Sequence, residues 1–128
     1  MGALNAAAAN ELLDHVNLVG SYTPTSPLKC RLMTANGSAT AAGTEVTGGS
    51  YAPQTIAFAA ASGGQAASSG ALTFSGVPAV TVAGIEIWDS AGTPVRLWWG
   101  ALDTPRTTSS GAAMNFADGS IIVSFPTA

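Results

Sequence analysis

Ionised side chains are scarce in this sequence. Aspartate, glutamate, lysine and arginine make up 9% of its 128 residues, whereas an ordinary soluble domain has about 25%. Its four lysines and arginines and its net charge of −3 disfavour nucleic-acid binding, because phosphate recognition needs clustered cations. No apolar run approaches the roughly 20 residues that span a bilayer, so no membrane contact is expected. A surface this poor in charge packs readily against protein and predicts a subunit of a larger assembly; the alternative is an uncharged monomeric β protein.

Groups that make or break bonds are equally few. Cys30 is the only cysteine and His15 the only histidine, so an intrachain disulfide is impossible and no metal site is expected. Glu86 and Asp89 lie on opposite faces of a regular strand at their spacing, which does not make an acid–base pair. We therefore predict no catalytic residues, no cofactor and no metal, and the chain is not expected to be an enzyme.

Alanine, glycine, serine and threonine are abundant and form one helical segment followed by short strand segments. Leu4, Leu12 and the alanines between them recur at helical spacing, which predicts an N-terminal helix over residues 1–20 that Gly20 ends. From Leu28 the period changes to two, with Leu28 and Cys30 on one face, as in a half-buried strand.

From Leu28 onward the chain reads as about seven short strands, of which this is the first. A bulge near Gly84 is expected, because the apolar parity changes there, and residues 102–113 read as a long loop and edge segment. Asp118 and Gly119 predict a hairpin turn. The whole pattern predicts a mainly β fold, an antiparallel β-sandwich or jelly-roll-like domain with one N-terminal α-helix. We expect residues 1–128 to form one domain, with the sandwich over residues 28–125.

Three side chains in the middle of the chain have two readings each. Trp98 is expected to face outward, opposite Trp99, as an interface anchor or a carbohydrate-stacking platform, unless the N-terminal helix covers it. Glu86 and Arg96 flank a short turn, and they predict either a partner contact or a cross-strand ion pair.

The segment over residues 43–54, Gly-Thr-Glu-Val-Thr-Gly-Gly-Ser-Tyr-Ala-Pro-Gln, has one isolated charge, Glu45. Gly48 and Gly49 let the backbone turn sharply or approach another surface closely, and Tyr51 adds a rigid amphipathic contact. Two readings stay open. The segment docks on a neighbouring subunit, or it folds back on its own sandwich with Glu45 capping backbone amides.

The same segment resembles a motif in small structural proteins of tailed bacteriophages of the tail-fibre, minor tail or head-decoration type. The alanine-rich start, the stretch Ala59-Ala60-Ala61-Ser62-Gly63-Gly64 and the strand that ends in Trp88 extend the resemblance over most of residues 3–125. Pro53 departs from the arginine that is common there. The resemblance implies a non-enzymatic virion subunit.

We expect an accessory capsid protein of the decoration, cement or minor capsid type; the alternative is a minor tail or tail-fibre subunit that contacts the host surface. The expected partners are other phage structural proteins, chiefly the major capsid protein, and further copies of the chain in a homo-oligomer such as a trimer. The expected location is the virion, assembled in the host cytoplasm. The candidate subunit-contact residues are Leu4, Leu12, Glu45, Val46, Gly48, Gly49, Tyr51, Gln54 and Trp98.

Overall fold

Among the residues that the structure describes, the fold is mainly β with one helix, and all strand pairs are antiparallel. A computed structural model describes residues 3–125. Within them the elements are β1 Ala3–Leu4, α1 Ala6–Val16, β2 Leu28–Ala35, β3 Thr44–Glu45, β4 Gln54–Ile56, β5 Gln65–Ala67, β6 Leu72–Val77, β7 Thr81–Trp88, β8 Arg96–Thr107, β9 Ala112–Phe116 and β10 Ile122–Ser124. The predicted class, antiparallel β with one N-terminal helix, is confirmed.

A six-stranded sheet forms the larger layer. Its strand order is β1-β8-β7-β2-β3, and β4 also pairs with β2. Cys30 lies opposite Ile87, which lies opposite Trp98, so these three side chains share one face. The alternation of β2 predicted this face correctly, since Cys30 and Leu32 are fully buried.

The second layer consists of two strand pairs, β6 with β9 and β5 with β10. Phe74 lies at the centre of the core between the layers, where its ring contacts Tyr51 and Phe116 at centroid distances of 6.1 Å. One buried cluster joins side chains from β2, β4, β6, β7, β9 and β10. The arrangement is therefore sandwich-like.

The N-terminal segment differs from the predicted helix over residues 1–20. Leu4 lies in β1, where it pairs with Trp98, and α1 starts only at Ala6; Met1 and Gly2 lie outside the described residues. The helix ends at Val16, and Leu18, not Gly20, takes the left-handed conformation after it, with a φ of 62°. The alanine run forms the helix as predicted, but the residues before the helix pair with β8 and form an edge strand.

Two other expectations were partly wrong. Residues 102–107 form the expected edge segment, because they pair only with β7 as far as Thr107, but they continue β8 instead of forming a loop. Asp118 and Gly119 make a turn, but β9 and β10 do not form a hairpin across it; β9 pairs with β6, and β10 with β5. Gly70 N donates to Asp118 Oδ1 at 2.7 Å and Gly119 N to Ser68 O at 3.0 Å, so the turn is anchored to the segment that follows β5.

The irregularity expected near Gly84 is confirmed, although the extra residues belong to β8. Gly84 pairs with Ala101 and Val82 pairs with Arg106. Between these two pairs β8 advances five residues while β7 advances two. The surplus residues of β8 bulge out of the ladder there, and such bulges redirect side chains at sheet rims and next to binding sites.

Candidate functional site

The segment over residues 43–54 folds back onto its own sandwich. The Tyr51 hydroxyl donates to Glu45 Oε2 at 2.8 Å and accepts from Leu32 N at 2.9 Å. Burial is the largest cause that raises the pKa of Tyr51 above its ordinary value, and the neighbouring Glu45 carboxylate raises it further. The segment therefore folds back on its own sandwich, which was one of the two readings left open. The group that donates to the Glu45 carboxylate is a tyrosine hydroxyl and not the backbone amide that was expected.

The other residues of this segment are divided between core and surface. Val46 is buried, and Val46 N donates to Leu32 O at 2.9 Å. Gly48 and Gly49 are exposed at the tip. Gly49 has a φ of +58°, and a Cβ there would lie 2.5 Å from the Gly76 carbonyl oxygen, so only glycine fits. The tip remains available for a contact, whereas the side chain of Val46 does not.

Glu86 and Arg96 form a buried ion pair. Arg96 Nη1 lies 3.1 Å from Glu86 Oε2, and both side chains are at most 4% exposed. Arg96 Nη2 donates to Asn5 Oδ1 at 2.7 Å and to the Ser38 carbonyl. Glu86 also accepts from Gly43 N at 2.7 Å. The predicted cross-strand ion pair is confirmed; it joins the N-terminal segment and the 38–43 loop to the sheet.

Trp98 does not face outward. It pairs with Ile87, packs against the core, and meets the Phe125 ring edge-on with centroids 5.7 Å apart. Trp99 pairs with Glu86 on the other face, where Arg96 lies 5.9 Å from its ring centroid. The prediction inverted the two tryptophans because the register shifts between Ile87 and Trp88, which a strict period of two does not anticipate.

The helix and the residues just after it carry the most exposed of the large apolar side chains among residues 3–125. Ala8 is the only buried residue of α1, and Leu12 is half-buried. Leu13 and Val16 are 59% and 68% exposed, and Leu18 beyond the helix is 92% exposed. Single exposed leucines are ordinary, but Leu13 and Val16 are three residues apart in α1 and therefore neighbours on its surface, and grouped apolar side chains indicate a contact with another molecule. We call the exposed side chains of Leu13, Val16, Leu18 and Val19 the helix patch.

The remaining predicted contact residues lie within the sheet. Leu4 is half-buried in β1. Gln54 begins β4, is half-buried, and donates from Nε2 to Ala52 O at 3.1 Å. The structure does not bring the nine predicted residues together into one surface, and their part in a subunit contact remains a prediction.

Asp89 and His15 both make contacts that stabilise the fold. Burial would raise the pKa of Asp89, but hydrogen bonds from the amides of Val95, Thr25 and Ala91 outweigh it and lower that pKa. Asp89 thus holds the turn between β7 and β8. His15 Nδ1 accepts from Tyr22 N at 3.4 Å. Residues 3–125 contain no group of three histidines, cysteines or acidic residues that could hold a metal ion.

A pocket of about 330 Å³ opens where β8 bulges. Its apolar wall includes Ile85, Trp98 and Phe116, and its polar wall includes Asp103 and Arg106 from the bulge. Sequence reasoning missed this site because it treated residues 102–113 as a long loop and edge segment and placed no bulged strand there. The available signal was the change of apolar parity near Gly84, which indicated a bulge in this ladder.

These features define a small antiparallel β module with surfaces suited to contacts with other molecules. A family model described as "Podophage GP4 fiber I protein gp80" matches residues 3–124, and the chain belongs to that family. It is therefore a structural protein of a tailed phage and is associated with the virion, as the resemblance predicted. No curated protein matches the chain. Along residues 3–125, no helix has both the length and the hydropathy needed to cross a membrane.

Proposed function

We propose that this chain is a non-enzymatic subunit of a fibre on a tailed-phage particle. The observation that carries the proposal is the match of the fibre protein family over residues 3–124. The family description favours the tail-fibre alternative over the accessory capsid protein that the sequence first suggested. The partners are then other fibre or tail proteins rather than the major capsid protein.

The internal contacts of the chain suit a structural module. The buried pair of Glu86 and Arg96 holds the N-terminal segment and the 38–43 loop against the sheet. The Tyr51 hydroxyl fastens the 43–54 segment in the same way. A module whose loops are fixed by buried polar contacts presents a defined surface, which lowers the entropy lost when it assembles with a neighbour.

The helix patch is the surface that attaches the module to another structural protein of the particle. Leu18 combines 92% exposure with a positive φ of 62°. That conformation costs a residue with a Cβ roughly 1–2 kcal/mol. The left-handed residue ends the helix, and because leucine stands there its apolar side chain lies in solvent, where a partner surface would cover it.

Copy number in purified particles tests the fibre placement. Quantitative mass spectrometry of purified virions measures the ratio of this chain to the major capsid protein. A fibre subunit is expected at a small fraction of the capsid copy number. A ratio close to that of the major capsid protein would support the capsid decoration alternative and contradict the proposal.

Substitutions in the helix patch test the attachment surface. The double variant Leu13→Ser/Val16→Ser is expected to fold and to be depleted from particles, because both side chains are exposed in the chain itself. The matched control is Asn10→Ser/Asp14→Ser, which changes exposed polar positions of the same helix. Incorporation of the patch variant at the level of the control would contradict this attachment surface.

A further inference from the structure

The pocket beside the bulge of β8 has an apolar wall and a polar rim. One side of the wall is the core-facing side of the sheet, with Ile85 and Ile87 from β7 and Trp98, the partner of Ile87, from β8. The second layer closes the pocket with Phe116 and Ile121. The volume of about 330 Å³ lies at the lower end of the roughly 300–1,000 Å³ that small-molecule sites occupy. The pocket therefore suits a ligand of about the size of a monosaccharide.

The rim has polar groups that the fold itself does not use. Asp103, Thr104 and Ser120 line the pocket and are exposed, and none of their side chains bonds to another residue within 3–125. The bulge places Asp103 and Thr104 there, since the ladder is regular only up to Ala101 and resumes at Arg106. An ionised carboxylate accepts two or more hydrogen bonds, and each hydroxyl both donates and accepts.

Arg106 is the rim group that the fold holds in place. Its Nη1 donates to Asn115 O at 2.8 Å, and its guanidinium lies 4.9 Å from the centroid of the Phe116 ring. A guanidinium has five N–H donors, so donors remain for a ligand. The side chain is positioned beforehand, which lowers the entropy lost on binding.

We propose that this pocket binds a neutral pyranose sugar. The carbon–hydrogen face of the ring lies against the aromatic and aliphatic wall at Trp98, and its hydroxyls reach the rim. A carboxylate and a guanidinium on one rim, at Asp103 and Arg106, favour a ligand that both donates and accepts and that has no net charge. An anion would face the carboxylate and a cation the guanidinium, each at a cost.

This proposal goes beyond the placement in a fibre and can fail separately from it. Copy number is measured on particles, whereas sugar binding is measured on the purified chain. A chain that binds sugar but belongs to the capsid would overturn the fibre placement alone. A fibre subunit that binds no sugar would overturn the pocket proposal alone.

The test is a titration of the ¹⁵N-labelled full chain with methyl glycosides of glucose, galactose, mannose and N-acetylglucosamine, followed by NMR. The indole N–H resonance of Trp98, identified by its loss in Trp98→Phe, is expected to shift saturably with at least one of the four. Asp103→Ala is expected to weaken that binding by about tenfold or more, because it removes charge-assisted hydrogen bonds. Ser120→Ala, a second pocket variant, is expected to weaken it less.

The matched control is Asp14→Ala, which removes an exposed carboxylate from α1 and is expected to leave the affinity unchanged. Absence of a saturable shift with all four glycosides would overturn the proposal. Equal affinity of Asp103→Ala and the unchanged chain, with Ser120→Ala also equal, would overturn it as well. Tighter binding of methyl glucuronide than of methyl glucoside would contradict a neutral ligand.

Discussion

Arg96→Met is the substitution that most directly probes how the loops of this module are held. Arg96 and Glu86 are both buried, so methionine at position 96 would leave the Glu86 carboxylate buried without its cation. Gly43 N and Trp88 Nε1 would still donate to that carboxylate, at 2.7 and 3.1 Å. Asn5 Oδ1 and the Ser38 carbonyl would each lose a charged donor.

The expected loss in the free energy of unfolding is about 3–5 kcal/mol, the usual cost of removing one partner from a buried ion pair. Urea denaturation followed by tryptophan fluorescence measures it. The matched control is Arg106→Met, because Arg106 is exposed and makes one hydrogen bond, to Asn115 O; its expected loss is at most about 1 kcal/mol.

A double variant separates the pair from the general effect of burial. Glu86→Gln/Arg96→Met removes both charges while glutamine still accepts one hydrogen bond in the pocket of the carboxylate. We expect it to lose less than the sum of the two single variants, with a coupling of about 1–3 kcal/mol. A loss for Arg96→Met no larger than that of Arg106→Met, or strict additivity, would refute the reasoning.

Three further predictions concern single positions. Gly49→Ala should cost about 1–3 kcal/mol of unfolding free energy, because it adds a Cβ at a positive φ beside a carbonyl; Gly92→Ala, where a Cβ meets nothing within 4 Å, should be neutral in the same urea titration. The pKa of Asp89 is lower in the folded chain, so its contribution to stability is complete above the ordinary carboxyl pKa and is lost as the pH falls through the folded value. Asp89→Asn should therefore flatten the acid side of the profile of stability against pH, and an unchanged profile would count against this role. Burial raises the pKa of the Cys30 thiol to about 12, so Ellman's reagent should react with Cys30 only after unfolding; rapid reaction of the native chain would contradict its burial.

Local periodicity predicted those parts of the fold that depend on near neighbours. The alternation from Leu28 through Cys30 to Leu32 placed these residues correctly on the core-facing side of β2. The alanine run gave a helix, although β8 captures Leu4 as an edge strand. The Asp89 carboxylate accepts from the amides of Ala91 and Val95 across the turn after β7, which is local chemistry typical of aspartate in turns.

Long-range pairing decided the features that the sequence did not reveal. The side of the sheet that Trp98 and Trp99 occupy depends on a register shift between strands, and a period of two contains no information about such a shift. Asp103, Thr104 and Pro105 have the composition of a loop, yet they lie in a strand because a bulge tolerates proline. The pocket could not be predicted for the same reason, because its rim is formed by residues of β8 that bulge out of the ladder with β7.

Gold labelling of a tagged chain on purified particles, viewed by electron microscopy, tests the central claim most directly. The account predicts label on the fibres of the particle, with the head surface unlabelled. Label spread evenly over the head, with none on the fibres, would contradict it.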